Sequence, residues 1–136
     1  MVQKNIAIID YEMGNLHSVA KAVEHVGANP IITSDIKVIT LADAVILPGV
    51  GAFGVAMDNL HKKRLISTVG DVFSCGIPFL GICLGMQILF PTSEEDPETA
   101  GLSILDGAVK KFDNTNMTGT TILVRWMCSA FSNCYW

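Results

Sequence analysis

Apolar and polar positions in this chain follow two periods, and the chain switches between them repeatedly. Residues 5–10 form a short, almost unbroken apolar run, as expected of a strand buried on both faces. Leu16, Val19, Ala20 and Val23 then recur at i, i+3, i+4 and i+7, which sets one apolar face of a helix against a sheet. Gly27 stops that helix. The alternation continues with strands at residues 30–33 and 44–47, helices at 52–60 and 65–74, a strand at 78–82, a helix at 84–90 and a strand at 108–112. Strands separated in this way by helices predict an α/β fold built on a doubly wound parallel sheet. Residues 94–101, with Pro97 and four acidic side chains, read as a solvated loop. No internal repeat or interdomain linker interrupts the pattern, so residues 1–136 are read as one domain.

The most informative stretch is Gly81-Ile82-Cys83-Leu84-Gly85, where the strand at 78–82 must turn sharply into a helix. This is a nucleophile-elbow arrangement with sulfur in place of the usual hydroxyl. A nucleophile at such a corner needs side-chain-free residues two before and two after it, because neighbouring backbone passes there. Gly81 and Gly85 meet that need, and the start of a helix favours negative charge. The plainer reading is that Cys83 is a small buried apolar residue, and a second motif decides between the two.

That motif, Pro48-Gly49-Val50-Gly51-Ala52-Phe53-Gly54, directly follows the apolar run 44–47. In an open α/β sheet the carboxyl ends of the strands lie along one edge, so this loop and the elbow can converge on one crevice. Gly49 and Gly51 leave backbone N–H groups unobstructed, suited to a phosphate or to a developing oxyanion. The loop lacks the Lys-Ser/Thr of a phosphate loop and does not complete a dinucleotide fingerprint. An oxyanion loop serving Cys83 fits it better.

These residues resemble the glutamine-amidotransferase subunits of imidazole glycerol phosphate synthases, within the class I glutamine amidotransferases. The resemblance is carried by Pro48 through Gly54, by Gly81-Ile82-Cys83-Leu84-Gly85-Met86-Gln87, by Ser93-Glu94-Glu95 and by Gly101-Leu102-Ser103-Ile104. The opening Ile8-Ile9-Asp10-Tyr11, Gly14-Asn15-Leu16 and His17-Ser18-Val19 extends it, so that it runs from about residue 2 to about residue 114. The resemblance implies glutamine hydrolysis through a cysteinyl thioester, with ammonia passed to a cyclase subunit of (β/α)₈ fold that makes imidazole glycerol phosphate and an aminoimidazole carboxamide ribotide. It makes Cys83 the nucleophile, the N–H groups of Val50 and Leu84 the oxyanion hole, and Gln87 and Glu95 substrate-holding residues. It calls for no cofactor and no metal. It also implies that the loop after Pro48 reorients a peptide before donating, so an idle oxyanion hole is compatible with it.

The family pattern then breaks. Its triad ends in a histidine and a glutamate far downstream of the cysteine, where imidazole deprotonates the thiol and carboxylate orients the imidazole. His17, His25 and His61 all precede Cys83, and they read as surface or capping histidines. Residues 115–136 hold both tryptophans, Cys128 and Cys134 but no histidine, and they read as a tail unlike the family after an altered or premature end. Within this tail residues 120–126 suit a strand, and the two cysteines lack metal-ligand spacing. Met86 is read as helix packing, and Tyr11 through Asn15 as either a local turn or a partner-facing segment.

Charge and composition narrow the classes. The net charge of −4, with no basic run beyond Lys62-Lys63-Arg64, argues against a nucleic-acid partner. No charged-then-apolar leader and no membrane-length apolar run is present, so a cytosolic protein with reduced thiols is expected. Half the chain is apolar, enough for a core, with the C-terminal part of the sheet expected to be missing. Three readings follow: the glutaminase subunit, a catalytically dead remnant that at most docks on the cyclase, and another elbow-cysteine α/β hydrolase.

Overall fold

Why the chain alternates as it does is visible in a computed structural model, which describes residues 2–111 and the strand 126–129. In chain order the elements are β1 (Asn5–Ile9), α1 (Leu16–His25), β2 (Asn29–Thr33), α2 (Ile36–Thr40), β3 (Ala44–Leu47), α3 (Phe53–Lys62), α4 (Ile66–Ser74), β4 (Phe79–Gly81), α5 (Leu84–Gln87), β5 (Ala108–Lys111) and β6 (Trp126–Ser129). The first four strands form a parallel sheet in the order β2-β1-β3-β4. β5 and β6 make a separate antiparallel pair, with Val109 opposite Cys128. A parallel bridge from Ser93 to Val109 ties β5 to the loop after α5.

Alternate residues of one strand supply two cores, because successive side chains leave a strand on opposite faces. Ile8 and Ile46 face α1, where Val23 is buried and Leu16, Val19 and Ala20 pack beside it. Ala7, Ile9, Val45 and Leu47 face the other way, against Ala56, Met57 and Leu60 of α3 and Val69 and Val72 of α4. With both faces covered, the strands must be apolar throughout, which is the reason for their near-continuous hydrophobic runs. The expected α/β fold with a doubly wound parallel sheet is the one observed.

Several boundaries shift for identifiable reasons. β1 stops at Ile9 rather than Asp10, whose carboxylate instead accepts from the Glu12 N–H at 3.1 Å in an Asx turn. β4 starts after Pro78, which has no N–H for the ladder, and ends before Ile82. The helix expected over 84–90 is the single turn Leu84–Gln87. Beyond it the Leu89 and Phe90 N–H groups donate to the carbonyls three residues back, at 3.2 and 3.1 Å, and Pro91 precludes a further helical turn. α2 had no counterpart in the sequence reading. Asp35 caps it, accepting from the Lys37 and Val38 N–H groups at 2.8 and 3.2 Å.

Of the tail, only the backbone of β6 is described. It begins at Trp126, where the expected strand at 120–126 was to end. The expectations for the rest of 115–136, including Cys134, lie outside the described residues. No helix among the described residues is long and apolar enough to cross a membrane.

Leu47, fully buried where β3 meets the elbow, is the side chain whose truncation tests this packing most directly. Leu47→Ala is expected to cost about 2–5 kcal/mol. Urea unfolding should show a lower midpoint with an unchanged slope.

Candidate active site

Three segments meet at the carboxyl edge of the sheet: the turn after β1, the loop after β3 and the elbow after β4. Ile82 donates its N–H to the Leu47 carbonyl at 3.0 Å, the last tie between β4 and β3 before the chain turns. Cys83 makes that turn at φ 55° and ψ −118°. A non-glycine residue with positive φ is strained and persists only where its surroundings fix it. They do so here through glycine. A Cβ at Gly85 would overlap the Leu47 carbonyl oxygen and lie 2.7 Å from the Leu47 carbonyl carbon; one at Gly81 would lie 2.7 Å from the Met86 Cα. The chain therefore turns sharply from β4 into α5, with Cys83 exposed at the tip of the turn and the flanking backbone of Gly81 and Gly85 packed without room for a methyl group.

The loop after β3 is pressed against this corner. A methyl at Gly49 would come within 2.6 Å of the Gly85 nitrogen and 2.9 Å of the Leu84 Cβ. Gly51 takes φ 115°, and Val50 between the two glycines is 62% exposed. Among the described residues, the N–H groups of Val50 and Leu84 carry no hydrogen bond. Unpaired donors beside an exposed thiol can stabilise negative charge developing on a substrate oxygen.

The other expected site residues are less concentrated. Gln87 is buried, at 7% exposure, on the single-turn helix that begins at Leu84. Glu95 is exposed on the loop after α5, its N–H bonded to Ser93 Oγ at 3.2 Å, and no hydrogen bond joins its carboxylate to the elbow among the described residues. Met86, expected to pack inside, is 37% exposed because it lies on the outer side of the turn whose neighbours Gly85 and Gln87 are buried. His17, His25 and His61 are all exposed and make no hydrogen bond to Cys83 among the described residues.

Tyr11 is the residue whose part in this site the sequence left open. It is fully buried, and its hydroxyl donates to the Pro48 carbonyl at 2.6 Å. Burial pushes the phenol well above its ordinary range, and the nearby Cys83 sulfur adds to the rise. Glu12 next to it adopts φ 67° and pairs with Lys63 at 2.9 Å, which lowers the Glu12 carboxyl below its usual range. An open groove of about 800 Å³ runs from this turn past Asn15 and His17 to Val50. Residues 11–15 form a local turn, and this is compatible with either reading of the segment.

Segment 101–105 holds the elbow helix from behind. Leu102 donates to the Ile88 carbonyl at 2.8 Å, and Ile104 and Leu105 donate to that of Leu89 at 2.9 and 3.0 Å. These bonds occupy carbonyls that a helix end leaves without partners.

Comparison with known proteins gives the arrangement a family. The model of the glutamine amidotransferase class-I family matches residues 7–131. The imidazole glycerol phosphate synthase subunit HisH of Synechococcus elongatus is 55% identical over 107 residues, covering 79% of this chain and 49% of that protein. The protein of the same name from Thermosynechococcus vestitus is 55% identical over 109 residues, covering 80% and 52%. The chain thus spans about half the length of the curated relatives it matches. Among solved structures, the crystal structure of a glutamine amidotransferase superposes with a TM-score of 0.63 at 17% identity, covering 78% of this chain and 56% of the other, a likeness of fold.

Two outcomes test the geometry. Gly85→Ala should destabilise the chain by about 1–3 kcal/mol, since the added methyl meets backbone that cannot rotate away. The melting temperature in a thermal scan reads this. The second outcome concerns alkali: a phenol raised in the folded state contributes stability that is whole below its unfolded value of about 10 and is lost as pH climbs above it. Stability of the wild type should fall above pH 10 by at most about 1.4 kcal/mol per pH unit from this group, and Tyr11→Phe should remove that part of the slope.

Proposed function

The chain belongs to the class I glutamine amidotransferases, and on that premise we propose that it carries the nucleophile of the glutaminase subunit of imidazole glycerol phosphate synthase. The observation that carries the reading is Cys83 itself, an exposed thiol at φ 55° on a glycine-flanked elbow. The names of the two relatives support assigning that thiol to this synthase. In this reading the Cys83 sulfur attacks the carboxamide carbon of glutamine, and the oxygen takes up negative charge facing the Val50 and Leu84 N–H groups. The C–N bond then breaks as the proton shed by the thiol passes to the departing nitrogen, which leaves as ammonia, and water hydrolyses the thioester to glutamate and free thiol. Gln87 and Glu95 hold the glutamine. Ammonia passes to the cyclase subunit, with which the chain forms a cytoplasmic heterodimer.

One observation favours a second reading, in which the chain docks on the cyclase and is acylated poorly or not at all. The three histidines all precede Cys83, lie exposed and make no bond to it among the described residues. Among the described residues no imidazole is bonded to the thiol to accept its proton, and loss of a general base typically costs about 10²–10⁴-fold in rate.

Labelling and turnover together separate the readings. A glutamine-shaped chloroketone should label Cys83 in preference to Cys75, Cys128 and Cys134, whereas preferential labelling elsewhere would sink the elbow assignment. On the second reading, glutamine hydrolysis by the 136-residue chain, with or without cyclase, does not exceed that of Cys83→Ala, whereas the first requires hydrolysis that Cys83→Ala abolishes. A cyclase-stimulated activity that disappears in Cys83→Ala would show that a base reaches the thiol from elsewhere.

A further inference from the structure

Backbone freedom in the loop after β3 is restricted one bond at a time up to the candidate oxyanion donor. The pyrrolidine ring of Pro48 fixes its φ. The Pro48 carbonyl, which reports its ψ, is held by the Tyr11 hydroxyl at 2.6 Å. Gly49 follows with no space for a side chain: a methyl there would sit 2.8 Å from that same hydroxyl and 2.6 Å from the Gly85 nitrogen. The next peptide, Gly49–Val50, follows a glycine and carries an N–H with no partner among the described residues. Everything before this peptide is pinned, and the peptide itself is the first that can turn.

We infer that Tyr11 is a positioning residue for the oxyanion donor: by holding the Pro48 carbonyl, its hydroxyl sets the plane from which the Val50 N–H is presented to a substrate on Cys83. The inference rests on the glutaminase reading and adds to it a residue that makes no contact with substrate. Tyr11 is not a proton source for the thiol, because its single O–H is already donated to Pro48. A phenylalanine would fill the same space, so the hydroxyl needs a reason to be buried in this core. The Pro48 carbonyl is that reason, since a buried hydroxyl or carbonyl left without a partner is costly.

Two electrophiles applied to the same chain test this. A glutamine-shaped chloroketone reacts with a thiol through an adduct whose oxygen carries negative charge and seeks N–H donors, before sulfur displaces chloride. Iodoacetamide is attacked directly at its methylene, with iodide leaving and no charge gathering on the carbonyl oxygen. In Tyr11→Phe the chloroketone rate at Cys83 should fall about tenfold, the worth of one buried hydrogen bond. The iodoacetamide rate at Cys83 should stay unchanged. Equal losses with both reagents would mean general damage to the elbow, and no loss with either would mean that the hydroxyl does not position the donor. Each outcome overturns the inference while leaving the glutaminase reading intact. A wild-type chain in which the chloroketone shows no preference for Cys83 would overturn both. Should Tyr11→Phe fail to fold, a ¹³C-carbonyl proline label in the wild type reads the bond directly. A deuterium isotope shift at Pro48 on exchange of the Tyr11 hydroxyl is expected, and its absence removes the bond on which the inference stands.

Discussion

Backbone lies against backbone where the loop after β3 meets the elbow after β4, and the rest of the site depends on that contact. Gly49 and Gly85 face each other so closely that a methyl on the first would come within 2.6 Å of the nitrogen of the second, and one on Gly85 would strike Leu47. A Cβ at either position would force the two segments to shift apart. With glycine at both positions, the loop that carries Val50 and the corner that carries Cys83 and Leu84 meet at the sheet edge. The strain at Cys83 follows from the same contact, since the chain has no room to relax its φ while both flanking glycines are wedged.

The supports of this contact are polar, though its surroundings are not. Tyr11 reaches the loop from the turn after β1, and the 101–105 segment reaches the elbow helix from the far side. Each places a hydrogen bond on a carbonyl that regular secondary structure leaves unpaired, Pro48 in one case and the carbonyls at Ile88 and Leu89 in the other. A one-turn helix has little stability of its own. It persists because Leu84, Ile88 and Leu89 are buried in the core cluster and the carbonyls just beyond its end, at Ile88 and Leu89, are occupied.

Much of this was legible in the sequence because periodicity and glycine spacing are local signals. The four parallel strands, α1, α3 and α4 could be read from apolar recurrence, and the elbow from Gly81, Cys83 and Gly85. α2 was missed because five residues give too little period to register, although Asp35 followed by an apolar stretch is a cap signal that a closer reading would have used. The length of α5 was overread because apolar residues continue to Phe90, where burial is achieved by turns and not by helix. Tyr11 could not be placed at all. Its partner is thirty-seven residues away in sequence, and no local pattern encodes a hydroxyl reaching a carbonyl across a sheet.

Separating the elbow from the proton chemistry clarifies what each half of such a site requires. The geometry of Cys83 is set by glycines, by the Leu47 carbonyl and by the packing of Leu84, none of which needs an imidazole in place. The placement of the thiol is therefore a property of the strands and glycines described here, and fixed placement of a reacting group is one of the things a reaction at such a sulfur would use. Removing the proton from the thiol is a separate task that none of the exposed histidines is positioned by a hydrogen bond to perform among the described residues. A site divided in this way can keep its shape while its activity depends on a group supplied from outside these elements. That is the physical basis on which family membership and turnover by this chain are separate questions.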